Sequence, residues 1–392
     1  MKAIIMAAGK GTRMEPLTCN KPKPMIKIAN KPFITYIFDE LANIVNESIV
    51  IIHKKDKITP TIGNQYKNIK INYVIQEEQL GTGHALFCAK NFVNDRFILL
   101  NGDDVFSNKD IAQLLNYESS LLSKNVADLS KYGAIYAENN HLEKIIEKPS
   151  EGGAGLANVG AYVLGKNIFS CTPKLSPRGE YEVTDLINEY ALINKIHVNT
   201  AKENIIGITY PWDVLKFNQY LLSKMIESKI EGQIGKHVEI DGLLVLGKNS
   251  EIKGYCAIQG PCIIGDNCEI GPRADIRKFT CIGDNCRING EVKNSIFYDN
   301  SKSGHAQSSI LDSIIGENSN IGAGTITANL RHDNCNVKSL VKGKLIDTEL
   351  MKLGAIIGDN VHTGIHTSIL PGRKIWAGKS TYPNEIVDKD KI

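Results

Sequence analysis

The chain changes its hydrophobic rhythm a little past its middle. Up to residue 230, short β-branched runs at 3–6, 48–52, 71–75 and 97–100 alternate with stretches of helical apolar spacing at 33–42 and 82–91. Strands alternating with helices predict a mostly parallel sheet covered by helices. Further strands are expected at 132–136, 142–146 and 159–164, and a helix at 182–193. A helix at 212–230, with no internal Gly or Pro, is expected to leave this domain, so the boundary is set at 230.

Beyond it, Ile234, Ile240, Leu246, Ile252, Ile258, Ile264, Ile270, Ile276, Ile282 and Ile288 recur every six residues. A six-residue period fits no amphipathic helix, so each hexad is read as one short strand and corner of a parallel β-helix with Ile pointing inward. Gly235, Gly247, Gly265, Gly271 and Gly283 follow the apolar position, where the chain turns. The register slips by three residues, resumes at Ile315 and Ile321, and returns at Ile357, Thr363, Ile369 and Ile375. The polar, aperiodic stretch 330–353 is expected to leave the coils as an excursion loop.

Composition narrows the picture in three ways. At 392 residues and 42% apolar content, two domains can each bury a core (1–230 and 231–392). Forty-six basic and 43 acidic residues, mixed along the chain, leave a net charge of +3 and no electrostatic footprint for nucleic acid or an anionic membrane. No apolar run approaches the roughly 20 residues that span a bilayer, and a cytoplasmic enzyme is expected. The nine cysteines include no Cys-x-x-Cys pair, so neither a disulfide framework nor a zinc site is expected. Cys256, Cys262, Cys268 and Cys286 read as small fillers at repeat positions, in preference to metal ligands.

Candidate chemistry in the first domain gathers at strand ends. Gly9-Lys10-Gly11-Thr12-Arg13 follows the first strand, where a Gly-rich turn brings backbone N–H groups close to phosphate oxygens. It lacks the third Gly of a dinucleotide fingerprint and is not a P-loop. Lys21-Pro22-Lys23-Pro24 supplies a basic pair stiffened by prolines and expected to reach the same triphosphate. The run from Gln76 to Ala85 and the turn Asn101-Gly102-Asp103-Asp104 each end a strand, the usual ligand crevice of such sheets. The paired carboxylates offer hard oxygen ligands to Mg²⁺.

With these motifs together, the chain resembles the sugar-1-phosphate nucleotidylyltransferases, and its Gln-x-x-Gln-Leu-Gly-Thr-Gly-His-Ala stretch resembles that of bacterial N-acetylglucosamine-1-phosphate uridylyltransferases. The resemblance implies a Rossmann-like α/β domain in which Arg13 and Lys23 hold the triphosphate. It implies that Ala8, Gly9, Gly11, Gln76, Gly81 and Thr82 bind the nucleotide, UTP or dTTP, and that Asp103 binds Mg²⁺. Gly133, Glu147 and Asn158 match positions that hold the sugar 1-phosphate. Two departures stand out. Gly207-Ile208-Thr209 occupies the place of a second metal ligand, leaving Thr209, Asp213 or none in that role. Only a short polar stretch is expected between a helix ending near Leu122 and Tyr132, where the family has a further strand.

The second domain resembles the hexapeptide-repeat acetyltransferases, archaeal-like in its Asn329-Leu330-Arg331 run. That resemblance implies a left-handed β-helix in which three hexads complete one coil, and a homotrimer. On this geometry Cys268 and Cys286 stack, while cysteines six apart lie on different faces. His305 would be the general base for acetylation of glucosamine 1-phosphate by acetyl-CoA. Arg277 and Lys293 would bind the sugar phosphate, and Asn320 and Asn329 would orient the amino sugar. Ser308 and Ile365 stand where the bacterial pattern has Tyr and Ser. The alternative is a monofunctional glucose-1-phosphate uridylyl- or thymidylyltransferase whose β-helix is structural or trimerising.

Overall fold

The structure is a computed structural model that describes residues 1–54, 58–150 and 152–392. Its contacts divide the chain into two units. One comprises Met1–Lys10, Pro22–Met25 and Phe33–Gly207, and the other Gly11–Lys21, Ile26–Pro32 and Ile208–Ile392.

The first unit is built on a twisted sheet. The strands used below are β1 (Lys2–Met6), β2 (Glu47–His53), β3 (Ile69–Gln76), β4 (Phe97–Asn101), β5 (Ser120–Val126), β6 (Gly133–Glu138), β7 (His141–Glu147), β8 (Gly155–Leu164) and β9 (His197–Thr200). They lie in the order β6-β7-β9-β5-β8-β4-β1-β2-β3, with Gln65–Tyr66 at the far edge. Strands β4, β1, β2 and β3 are parallel neighbours, and β8 joins antiparallel to β4. Runs such as Ile49 to Ile51 and Phe97 to Leu100 are fully buried because helices cover the faces of a parallel sheet. Helices α1 (Phe33–Leu41), α2 (Thr82–Cys88), α3 (Asn108–Leu114) and α4 (Val183–Ala191) match the expected pattern of alternation.

One expectation fails here. Residues 120–126 form the strand β5, paired parallel with β9 and antiparallel with β8, and the helix before it stops at Leu114. Leu121 and Leu122 are both fully buried. Two successive apolar residues in a strand covered on both faces look, in sequence, like the end of a helix. The wall expected to be missing a strand therefore has it.

In the second unit, helix α5 spans Pro211–Ser223, shorter than the expected 212–230. The chain then enters the repeat at Lys229–Ile230, which pairs with Val245–Leu246. The coils stack three parallel faces, running from Lys229–Ile230 to Lys374–Ile375, from Gln233–Ile234 to Lys302–Ser303, and from Glu239–Asp241 to Ile386–Val387. This is the left-handed β-helix of the hexapeptide repeats. Its interior is the column of hexad Ile residues, with Ile252, Ile270 and Ile288 stacked in register and fully buried. Truncating one of them to Ala in such a packed column costs about 2–5 kcal/mol.

One corner is a ladder of Asn249, Asn267, Asn285, Asn300, Asn318 and Asn360, all at positive φ near 57°, a conformation that Asn tolerates better than other side chains. Beside it, Ser250, Cys268, Cys286 and Ser301 stack through the interior. Ser250 Oγ accepts from Cys268 N at 2.8 Å, and Cys286 Sγ lies 3.4 Å from Ser301 Oγ. Cys256, Cys262 and Cys268 occupy different stretches of the coil and are all buried. No group of three or more potential metal ligands exists among the described residues. The excursion at 330–353 carries a hairpin of Lys338–Val341 and Lys344–Asp347. No helix among the described residues is long and apolar enough to cross a membrane.

Candidate functional site

The first candidate site lies at the carboxyl ends of β1, β3 and β4. Gly102 N donates to the Met6 carbonyl at 3.0 Å, and a Cβ at Gly102 would stand 2.6 Å from that oxygen. Glycine there lets the loop carrying Asp103 run against the loop carrying Ala8 and Gly9. Lys23, buried, places Nζ 2.5 Å from Asp103 Oδ2. Gln79 donates to the Ala8 carbonyl at 2.5 Å. Buried Gln76 donates to the Gly81 carbonyl at 3.1 Å and lies 3.0 Å from His84 Nδ1. Gly81 has φ +116°, and a Cβ on it would fall 2.4 Å from the Tyr181 carbonyl oxygen. The Thr82 hydroxyl accepts from Val183 N at 3.0 Å, which ties this loop to the start of α4.

The expected sugar-side residues also meet. Gly133 pairs with Glu147 on one side and Asn158 on the other, and a Cβ on Gly133 would sit 3.0 Å from Glu147 Oε2. Asn158 donates to the Tyr162 hydroxyl at 2.6 Å, and burial holds that phenol well above its ordinary pKa. Arg178, which sequence reading did not single out, reaches Glu182 at 2.6 Å and Glu147 at 3.6 Å. Glu182 is pushed up by burial and held down in part by Arg178. No periodicity marks residue 178, so only the fold reveals it.

Of the two carboxylates, Asp103 is the one whose surroundings fit a magnesium ion. Asp103 keeps part of its side chain exposed while bound to Lys23, and Mg²⁺ needs only one or two carboxylates when substrate phosphates complete its shell. Asp213, in the second unit, has its Oδ2 engaged by the backbone N–H groups of Thr209 and Tyr210, both at 2.8 Å, as a cap at the start of α5.

Gly11 and Arg13 group by their contacts with the second unit. Gly11, at φ +66°, accepts from the Thr18 hydroxyl at 2.9 Å, and the Arg13 side chain is exposed. Lys21 and Lys23, the basic pair expected to reach the triphosphate, are engaged by different carboxylates. Lys21 Nζ lies 2.5 Å from Glu317 and 3.4 Å from Asp359, with its side chain 9% exposed.

The second candidate site lies where coils turn from the second face to the third. Successive turns span 271–274, 289–290 and 304–308, so two residues of the three-residue slip fall on the shortest of them and the third on the next corner, 294–295. His305 lies in the long turn beneath that short one, exposed, its carbonyl accepting from Ser308 N at 3.3 Å. Ser308 is buried, with its hydroxyl unpartnered and turned inside, so it does not stand in for an outward Tyr. Arg277 and Lys293 are in register on the third face, and Arg277 pairs with Glu291 at 2.9 Å. Asn329 donates to Asp312, whose backbone N–H donates to the Lys293 carbonyl at 2.9 Å. Asn320 lies elsewhere. It bridges Lys302 and His362 on the second face and lines an open polar pocket with them and the corner asparagines. A single copy therefore gathers Arg277, Lys293 and Asn329, but not Asn320.

Comparison with known proteins follows this division. A nucleotidyl transferase family model matches residues 2–214, and a bacterial transferase hexapeptide (six repeats) model matches 243–278 and 261–293. The bifunctional protein GlmU of Methanococcus maripaludis (strain S2) is 42% identical, aligned over 100% of this chain and 95% of its own length. The bifunctional sugar-1-phosphate nucleotidylyltransferase/acetyltransferase of Sulfurisphaera tokodaii is 38% identical, over 100% and 98%. The chain belongs to this bifunctional family. Among solved structures, a putative glucose-1-phosphate thymidylyltransferase from Bacillus anthracis, in complex with a sucrose, matches 58% of this chain and 98% of its own at 26% identity and a TM-score of 0.52. The first cluster lies within the nucleotidyl transferase match; of the second, Arg277 and Lys293 lie within the hexapeptide match and His305 and Asn329 beyond it.

Proposed function

We propose that the first unit transfers a uridylyl group from UTP to N-acetylglucosamine 1-phosphate, and that the second acetylates glucosamine 1-phosphate with acetyl-CoA. The single observation that carries this reading is the end-to-end likeness to relatives named for both activities. In the first reaction a sugar-phosphate oxygen forms a bond to the α-phosphorus as the bond to pyrophosphate breaks. Such a displacement asks the protein for alignment and charge neutralisation. Lys23 supplies a buried positive charge, and Gln76, Gly81 and Thr82 shape the base side. Asp103 would hold Mg²⁺, which offsets phosphate charge when bound. Glu147 and Asn158, backed by Arg178 and Tyr162, orient the sugar phosphate.

In the second reaction His305 takes a proton from the sugar amine, the nitrogen bonds to the acetyl carbonyl carbon, and CoA leaves as the thiol. Arg277 and Lys293 hold the phosphate. A homotrimer belongs to the proposal. Its support is the location of Asn320 on a different face from Arg277 and Lys293, together with exposed Ile326 and Ile386, in register on either side of Ser368 on the third face.

The test supplies purified protein with glucosamine 1-phosphate, acetyl-CoA, UTP and Mg²⁺, and follows free thiol and pyrophosphate separately. Both should appear, with the thiol independent of UTP. Pyrophosphate from N-acetylglucosamine 1-phosphate without any thiol release from glucosamine 1-phosphate would leave a monofunctional nucleotidylyltransferase. Light scattering should give three times the chain mass, and a monomer active in acetyl transfer would remove the trimer.

A further inference from the structure

The second face of the coils carries an outward row in which Arg287, Lys302, Asn320, His362 and Ser380 follow one another in register. Their chain neighbours Ile288, Ser303 and Ile321 are buried inside the coils, so the row itself points out, as alternation along a strand requires. Arg287 is engaged by Glu269 at 3.4 Å. Lys302, exposed on the next coil, has no ion pair among the described residues. Lys302, Asn320 and His362 line an open pocket of about 730 Å³ with the corner residues Asn285, Asn300 and Asn318. That volume suits a small-molecule ligand, but the walls are not the apolar ones most such ligands meet. Among the described residues no carboxylate and no apolar side chain lines the pocket. The acids of that corner are engaged elsewhere. Asp284 Oδ1 accepts from Asp266 N at 2.8 Å, Asp299 Oδ1 from Asp284 N at 3.0 Å, and Asp359 Oδ1 from Glu317 N at 2.9 Å. An unpaired ammonium, an imidazole that offers an N–H in either tautomer, and several amide groups together suit an anion with many oxygens. Lys302 and His362 stand two strand spacings apart, about 10 Å, a span that a diphosphate and its hydrogen bonds can bridge.

We infer that this pocket binds the diphosphate of the acyl donor, acetyl-CoA, with Lys302 as the main anion contact and His362 as a second hydrogen-bond donor. The inference rests on the acetylation reading above, in which both substrates carry phosphate. Arg277 and Lys293, on the third face, serve the sugar phosphate in that reading. The free cation of the second face is then left for the other anionic substrate. Lys302 ends three residues before His305 on the same coil, Lys302 in the second-face strand and His305 in the turn that leads off it. A donor anchored by its diphosphate at Lys302 therefore has its thioester arm free to reach that turn, where the base meets the sugar amine.

The test measures thiol release by the full-length native chain and by Lys302→Met, Lys302→Arg and His362→Ala. Each is given acetyl-CoA or S-acetylpantetheine, which has the thioester arm and no phosphate. Lys302→Met should raise KM for acetyl-CoA by about ten- to a hundredfold, as loss of a charge-assisted hydrogen bond does, and His362→Ala by about three- to tenfold. Lys302→Arg should recover most of the loss. KM for glucosamine 1-phosphate should stay within about twofold throughout, and all four chains should use S-acetylpantetheine equally. A rise confined to KM for glucosamine 1-phosphate would give the pocket to the sugar phosphate and overturn the inference. Equal losses with acetyl-CoA and S-acetylpantetheine would reduce Lys302 to a structural contact and overturn it too, as would native KM values in every variant. Calorimetric titration with CoA keeps the two readings apart. A native chain that binds CoA more tightly than Lys302→Met does, yet releases no thiol, would uphold the pocket and overturn the acetylation reading. Thiol release by a native chain whose affinity for CoA is matched by Lys302→Met would overturn the pocket and leave acetylation standing.

Discussion

Lys23 Nζ stands 2.5 Å from Asp103 Oδ2, joining the proline-flanked basic run to the turn after β4. In the proposed reaction the buried ammonium would receive phosphate oxygens, and Asp103 would then hold a metal ion that offsets their charge. Asp103→Ala should therefore lower pyrophosphate release by at least about a hundredfold, as loss of one stabilising group typically does. Thiol release should be untouched, because the β-helix does not use this pair. Equal loss of both activities, measured on the same preparation, would contradict the assignment.

His305 is exposed in a long turn beneath a short one. His305→Ala should reduce thiol release from acetyl-CoA by about 10²–10⁴-fold, the usual worth of a general base. Pyrophosphate release from N-acetylglucosamine 1-phosphate supplied ready-made should continue at the native rate. Retention of acetyl transfer within a few-fold would remove His305 from the chemistry.

Lys374 is almost fully buried, donating to the Glu15 and Leu340 carbonyls, and burial pushes its pKa down to about 8 against the opposing pull of Asp390 and Glu15. Between about pH 8 and the ordinary lysine value near 10.4, the folded chain holds fewer protons at this site than the unfolded one, so stability rises with pH across that window. Compared with Lys374→Met in urea denaturation at pH 7.5, 9 and 10.5, the native chain should gain of order 2–3 kcal/mol relative to the variant. Parallel profiles for the two proteins would show that Lys374 does not titrate there.

Gly81 occupies a conformation that L side chains rarely adopt, and a Cβ would meet the Tyr181 carbonyl oxygen at 2.4 Å. Gly81→Ala should cost about 1–3 kcal/mol through backbone strain, with further loss from displacing the 181–183 segment. Its imprint should appear as a raised KM for the nucleoside triphosphate together with a lowered melting temperature. A variant with native KM and melting temperature would show that the loop has another way to close.

Local patterns made much of this protein legible before any coordinates. Ile234 to Ile288 at six-residue spacing determined the β-helix, because a repeat buries its apolar column only against its own neighbours and so writes its geometry into a short period. The stacking of Cys268 on Cys286 was implied by the resemblance to three-hexad coils, and the positions of Gln76 and Asp103 followed from strand ends. Residues 120–126 were misread because Leu121 and Leu122, buried on both faces of an interior strand, lose the alternation that marks strands.

The tertiary structure alone decided what binds across long stretches of chain. Arg178 beside Glu147, and Lys21 beside Glu317, 296 residues away, leave no period or motif in the sequence. Lys21 and Lys23 look equivalent around Pro22, yet one turns to the acidic corner of the coils and the other to Asp103. An ion pair depends on where folding delivers the partner charge, and a string of residue types carries no record of that place.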